Sequence, residues 1–196
     1  MRIKLTWVAA VILTPLLIFT NSAWDQIGAT LVAETLFVLA IGLVGIAAIG
    51  RLWCSLYIAG KKHGNLVVEG PYSLCRNPLY LFSFLGAVGL GLGSETCTIP
   101  IIVGVAFAIY YPFVIRHEEA ALLNIHGEAF RTYLQSTPRF FPSFQHFLEP
   151  GDYSVNPITF RKHCLSAVWF ILLLGVLEII EALHEVHLLP AYFSLY

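Results

Sequence analysis

Apolar runs of near-membrane length, set apart by the chain's basic residues, constrain this sequence more than any other feature. A helix crossing about 30 Å of hydrocarbon at about 1.5 Å per residue needs roughly 17–25 mostly apolar residues. Five segments approach that length, at about 5–20, 30–50, 79–95, 98–115 and 164–183. Lipid offers no water to an open backbone, so such runs fold as helices. With 58% of 196 residues hydrophobic and only 12% charged, no soluble globular class fits. The expected fold is all-α, a single polytopic domain over 1–196 with about five transmembrane helices.

The basic residues set the orientation, because short cytoplasmic loops retain Lys and Arg while exported ones lose them. The eleven are Arg2, Lys4, Arg51, Lys61, Lys62, Arg76, Arg116, Arg131, Arg139, Arg161 and Lys162. With the N-terminus cytoplasmic and five spans, all fall on the cytoplasmic face, and 21–29, 96–97 and 184–196 hold none. The expected location is the bacterial inner membrane, multi-pass, with the active face towards the cytoplasm. The start also reads as a secretory signal, MRIK, an apolar run and then TNSA; Trp24 suits an interfacial anchor instead.

Several functions are excluded or weakened. Cys54, Cys75, Cys97 and Cys164 form no CxxC pair or other metal-ligand spacing. His184 and His187 near the exported end lack an established third ligand, so no metal is expected. A formal charge of −1 gives no electrostatic case for nucleic acid. No span carries a charge or a Gly/Pro break at its centre, as a transport path would.

The polar groups concentrate in two segments, 51–77 and 116–163. Gly42, Gly45 and Gly50 read as helix-packing positions. The exported turn GSETCTIP makes spans 3 and 4 an antiparallel hairpin, which brings CRNPLY beside IRHEEA. Arg76 and Asn77 thus meet Glu118 and Glu119. Adjacent helical residues point about 100° apart, so one glutamate faces the cavity and the other is solvated or pairs with Arg116 or Arg131. Gly127 reads as a helix stop, followed by a short helix at about 128–135 that ends before Pro138. Phe130, Tyr133, Phe140, Phe141 and Phe144 suit a lid or an interfacial foot, with Tyr133 and Arg139 turned towards the core.

In order, the chain supplies Leu66-Val67, Gly70-Pro71-Tyr72, Arg76-Asn77-Pro78-Leu79-Tyr80, Glu118-Glu119, His126-Gly127, Tyr133 and Pro138-Arg139. This set, over about 57–142, resembles the integral membrane methyltransferases that include isoprenylcysteine carboxyl methyltransferase and, more distantly, phospholipid methyltransferases. The resemblance implies an S-adenosyl-L-methionine site at the cytoplasmic ends of spans 3 and 4. Its cofactor-binding residues would be Asn65, Leu66, Val67, Gly70, Tyr72, Asn77, Pro78, Leu79, Tyr80 and Glu118. Arg76, Asn77 and Glu118 would be catalytic, and Arg116, Glu119, Tyr133 and Arg139 would meet the substrate.

A proline opening span 3 costs no helix hydrogen bond, and free N–H groups at a helix start suit a carboxylate. Two positions depart from the carboxyl methyltransferases. Asn77 stands where they place His, and Val114 where they carry a substrate-binding Arg, which disfavours a prenylcysteine carboxylate as acceptor. The expected partner is a lipophilic small-molecule or lipid acceptor in the membrane. The alternatives are a catalytically silent scaffold or assembly protein and a small transporter subunit.

Overall fold

The computed structural model describes residues 14–15, 17–60, 65–145 and 147–196. Most of the first expected span, the signal-sequence reading and Arg2, Lys4, Lys61 and Lys62 lie outside the described residues. In order come β1 (Thr20–Ser22), α1 (Ala23–Gln26), α2 (Thr30–Gly60), α3 (Pro71–Leu74), α4 (Pro78–Leu92), α5 (Thr98–Ser136), α6 (Pro157–Glu185) and β2 (Phe193–Leu195). The protein is an all-α membrane protein in which α2, α5 and α6 are each long and apolar enough to cross a bilayer, and α4 is a shorter apolar helix of 15 residues.

Local chemistry explains the boundaries. Pro71, Pro78 and Pro157 open α3, α4 and α6 at positions where a missing N–H costs nothing. The Asn156 side chain caps α6 by accepting from the Ile158 and Thr159 N–H groups, both at 3.1 Å. Gly127, at φ 53° and ψ −122°, interrupts α5 as the sequence predicts, but the helix resumes beyond it to Ser136.

α2 runs along α4 and α6, and α4 packs on α5. Of the three glycines expected to mediate packing, only Gly50 does: a Cβ there would fall 2.1 Å from the Phe82 ring, whereas Gly42 and Gly45 face open space. The close approach is made from the α4 side, where a Cβ on Gly89 would meet the Val44 backbone at 3.1 Å. Ala40, Val44 and Leu174 form the packed centre, with Phe37, Leu90 and Phe170 around it. Leu39 and Ile49 on α2, Ile109 and Phe113 on α5, and Leu165 and Trp169 on α6 are exposed, as a lipid-facing surface requires.

A tight turn over 93–97 joins α4 to α5, giving the expected hairpin. At that same end, β2 pairs in parallel with β1, Thr20 opposite Phe193 and Ser22 opposite Leu195. Thr98 donates from its N–H and its hydroxyl to the Tyr196 carbonyl, at 2.7 and 2.6 Å. The tail is thus fastened to the helix ends by backbone pairing.

Candidate active site

The site is built at the opposite end, and Gly70 begins it. Its φ of 58° and ψ of −129° suit glycine, and a Cβ would sit 2.2 Å from the Tyr57 ring. Its N–H donates to the Leu148 carbonyl at 2.7 Å. The Ser73 hydroxyl donates to the Gly70 carbonyl at 2.6 Å and accepts from the Leu148 N–H at 3.1 Å. Together with Ser143 N–H donating to the Leu74 carbonyl at 2.9 Å, these bonds fasten Ser143 and Leu148 across α3. α4 then starts at Pro78. Tyr80 and Leu81 already donate to the Asn77 carbonyl, so the first turn offers one N–H, that of Leu79, rather than the several expected.

The two glutamates divide as the helical period requires. Glu118 accepts from the Tyr80 hydroxyl at 2.7 Å. Glu119 turns to Arg76, whose Nε lies 3.2 Å from Oε1 in an ion pair without hydrogen-bond alignment, and to Arg139, whose Nη2 donates to Oε2 at 2.9 Å. The expected partners Arg116 and Arg131 are elsewhere: Arg131 pairs with Glu128, and Arg116 is exposed. Arg76 also donates from its N–H to the Pro138 carbonyl and from Nη1 to the Leu134 carbonyl, both at 2.8 Å. Asn77 Nδ2 donates to the Arg139 carbonyl at 3.0 Å. Arg76, Asn77 and Glu119 therefore knit the start of α4 to α5 and to the segment after it.

A cavity of about 350 Å³ opens between these elements. Asn65, Leu66, Val67 and Tyr72 line one side, and Asn77, Leu79, Tyr80 and Glu118 another. Gly70 and Pro78 shape the backbone without lining it. Arg76, Glu119 and Tyr133 reach its wall, whereas Arg116 and Arg139 do not. Tyr133 donates to the Tyr72 carbonyl at 2.6 Å. Burial pushes the Tyr72 phenol well above its ordinary range, so it stays protonated.

Phe130, expected as a lid aromatic, lines the cavity, and so do Ile58, Leu122 and His126, which were not predicted as site residues. For α5 the signal was available as far as the break at Gly127, since 118, 122 and 126 recur every fourth residue along one face. Of the expected lid aromatics, Phe130 and Tyr133 are buried, Phe140 packs on Phe84 and Phe107, and Phe141 and Phe144 are exposed.

The sequence matches the phospholipid methyltransferase family over residues 24–129, which takes in α2, α3, α4 and α5 as far as the residues just past Gly127. The chain belongs to that family. Two relatives of this phospholipid methyltransferase family member are bacterial resistance proteins by name. It is 38% identical over 194 residues to the cobalt-zinc-cadmium resistance protein CzcN of Cupriavidus metallidurans, covering 99% of this chain and 86% of the relative. It is 39% identical over 178 residues to the nickel-cobalt-cadmium resistance protein NccN of Alcaligenes xylosoxydans xylosoxydans, covering 90% and 81%. No solved structure matches. Among the described residues, no three His, Cys, Asp or Glu side chains converge as a metal-holding group; His184 and His187 line a separate cavity at the other end.

Proposed function

We propose that the chain transfers a methyl group from S-adenosyl-L-methionine to a lipophilic acceptor at the cytoplasmic face of the membrane. The acceptor would be a lipid or membrane-dissolved molecule presenting a carboxylate, thiol or amine. The cavity supports this reading most: its volume of about 350 Å³ falls within the roughly 300–1,000 Å³ of small-molecule sites, and its apolar side chains surround a few polar groups, Glu118 among them. Leu66, Val67 and Leu79 would flank a nucleoside. The Leu79 N–H at the positive end of α4 would meet the methionine carboxylate, and Glu118, held by Tyr80, would face the cationic part of the cofactor.

When bound, the cofactor would supply an electrophilic methyl group, with its sulfur as the leaving group. The protein's part is alignment and exclusion of water. A carboxylate acceptor needs no base, whereas an amine or thiol must lose a proton, and the His126 imidazole on the cavity wall is suited to take it. Arg76, Arg116, Arg131 and Arg139 lie towards the cavity end, which supports its cytoplasmic orientation. The relatives' names extend the proposal to a setting, a membrane modification made under exposure to divalent metals.

Those names state no enzymatic activity, which favours a second reading, a catalytically silent scaffold that keeps the fold. Calorimetry with S-adenosylhomocysteine on the detergent-purified chain separates the two. Saturable binding lost in Glu118→Ala is the expected result; no binding by the wild type would leave the scaffold. Methyl-labelled cofactor added to native membranes would then identify the acceptor.

A further inference from the structure

Arg51 is an unaccounted cation. It sits within α2, nine residues before the helix ends at Gly60, rather than on a loop as expected from the sequence. Its Nη1 donates to the Ser83 hydroxyl on α4 and its Nη2 to Ser166 on α6 at 2.6 Å. The guanidinium lies 5.4 Å from the Phe170 ring centroid. Among the described residues no carboxylate pairs with it, and its Nε is buried without a hydrogen-bond partner. The titratable groups near enough to act on it are Cys54, Tyr111 and Tyr72, none of them an acid that is ionised at neutral pH. A half-buried cation inside a membrane-spanning helix is costly and marks a functional group by default.

Its position relative to the cavity gives that group a task. Arg51 and the cavity-lining Ile58 are seven residues apart on one face of α2. Ser83 and the cavity-lining Leu79 are four apart on one face of α4, where the Ser83 hydroxyl donates to the Leu79 carbonyl at 2.6 Å. At about 1.5 Å per residue the Arg51 cluster lies roughly 6–10 Å membrane-ward of the cavity wall. Tyr111, within electrostatic reach of Arg51, packs on Tyr80 with ring centroids 5.1 Å apart, and Tyr80 holds Glu118. The exposed Leu165 and Trp169 flank Ser166 on α6, so this depth borders lipid.

We infer that Arg51, with Ser83 and Ser166, is the recognition subsite for an anionic headgroup, a carboxylate or phosphate, of a membrane-embedded amphiphile whose methyl-accepting atom reaches the cavity above. The inference rests on the proposed methyl transfer. Arg51 is placed to bind acceptor and not donor. Ser83 holds the guanidinium in place while donating to Leu79, whereas the Ser166 hydroxyl accepts from Nη2 and keeps its own proton to donate to an anion beside the guanidinium.

The test is binding to the detergent-purified full chain of three probes: palmitate, dioleoyl phosphatidic acid and neutral dioleoylglycerol, each with S-adenosylhomocysteine titrated in parallel. The wild type should bind at least one anionic probe about tenfold or more tightly than the neutral one, as a hydrogen bond to a charged group implies. The palmitate and phosphatidic acid arms distinguish carboxylate from phosphate. R51Q should remove that preference while S-adenosylhomocysteine affinity stays unchanged, and R51K should restore part of it. Wild-type binding of S-adenosylhomocysteine with no preference for either anion would overturn the inference and leave the methyltransferase reading standing. Failure of the wild type to bind S-adenosylhomocysteine would instead remove the reading beneath it. Should R51Q not fold, S166A serves, with the same loss of preference expected and an unchanged preference counting against the subsite.

Discussion

Replacing Glu119 by Gln separates the scaffold of the site from its chemistry. The Arg76 and Glu119 side chains are 11% and 12% exposed and 3.2 Å apart. Two unit charges about 4 Å apart attract by about 4 kcal/mol at an effective dielectric near 20, and removing one partner of a buried pair costs about 3–5 kcal/mol. The Arg139 arm is 47% exposed on the arginine side, which limits it to about 1 kcal/mol or less. Glutamine keeps an acceptor oxygen and Arg76 keeps its bond to Leu134, so the net loss should be about 2–3 kcal/mol. For a chain of this size that lowers the thermal midpoint by about 4–12 °C. Glu118→Gln preserves an acceptor for Tyr80 and should shift the midpoint by no more than about 2 °C. Thermal unfolding of the detergent-purified variants measures both, with S-adenosylhomocysteine titrated well below either transition. Glu119→Gln should still bind it and Glu118→Gln should lose most affinity. A Glu119→Gln variant that melts with the wild type, or a Glu118→Gln variant destabilised as much as Glu119→Gln, would refute the division of roles.

Three further outcomes are expected. Tyr80→Phe removes one hydrogen bond to Glu118 and should weaken S-adenosylhomocysteine binding about 2- to 10-fold by calorimetry. Gly70→Ala forces a side chain into a left-handed backbone against the Tyr57 ring and should cost about 2 kcal/mol or more in chemical unfolding. Cys75 is fully buried, and that burial pushes its thiol up to about 11 from 9.0. Because the folded value exceeds the unfolded one, the linked stability is complete below about pH 9 and declines as pH rises towards 11. Maleimide at neutral pH should leave Cys75 unlabelled until the chain is denatured, as peptide mapping by mass spectrometry would show.

Legibility differed by residue. The turn at Gly70-Pro71 and the helix start at Pro78 were readable because their cause is local, a backbone angle or a missing donor. The opposed directions of Glu118 and Glu119 were readable from the helical period alone. So was the meeting of Arg76 with Glu119 at the hairpin's end, but not the second partner: Arg139 reaches Glu119 only because the chain after α5 folds back over the start of α4, 20 residues beyond the carboxylate. His126 stands beside Gly127 in the motif, but its position on the cavity wall follows from α5 continuing on the Glu118 face.

By itself the sequence determined that the chain is a helical membrane protein with one polar end, because hydrocarbon admits almost nothing else and the basic residues cannot be hidden in it. The tertiary structure decided which glycines let helices touch and which glutamate is structural. It also set the depth of Arg51 and what becomes of the tail. Those depend on which face of one helix meets which face of another, and on strand pairing between Thr20–Ser22 and Phe193–Leu195. A helical period relates residues along one element and is silent about its neighbours, so only packing across elements could assign them.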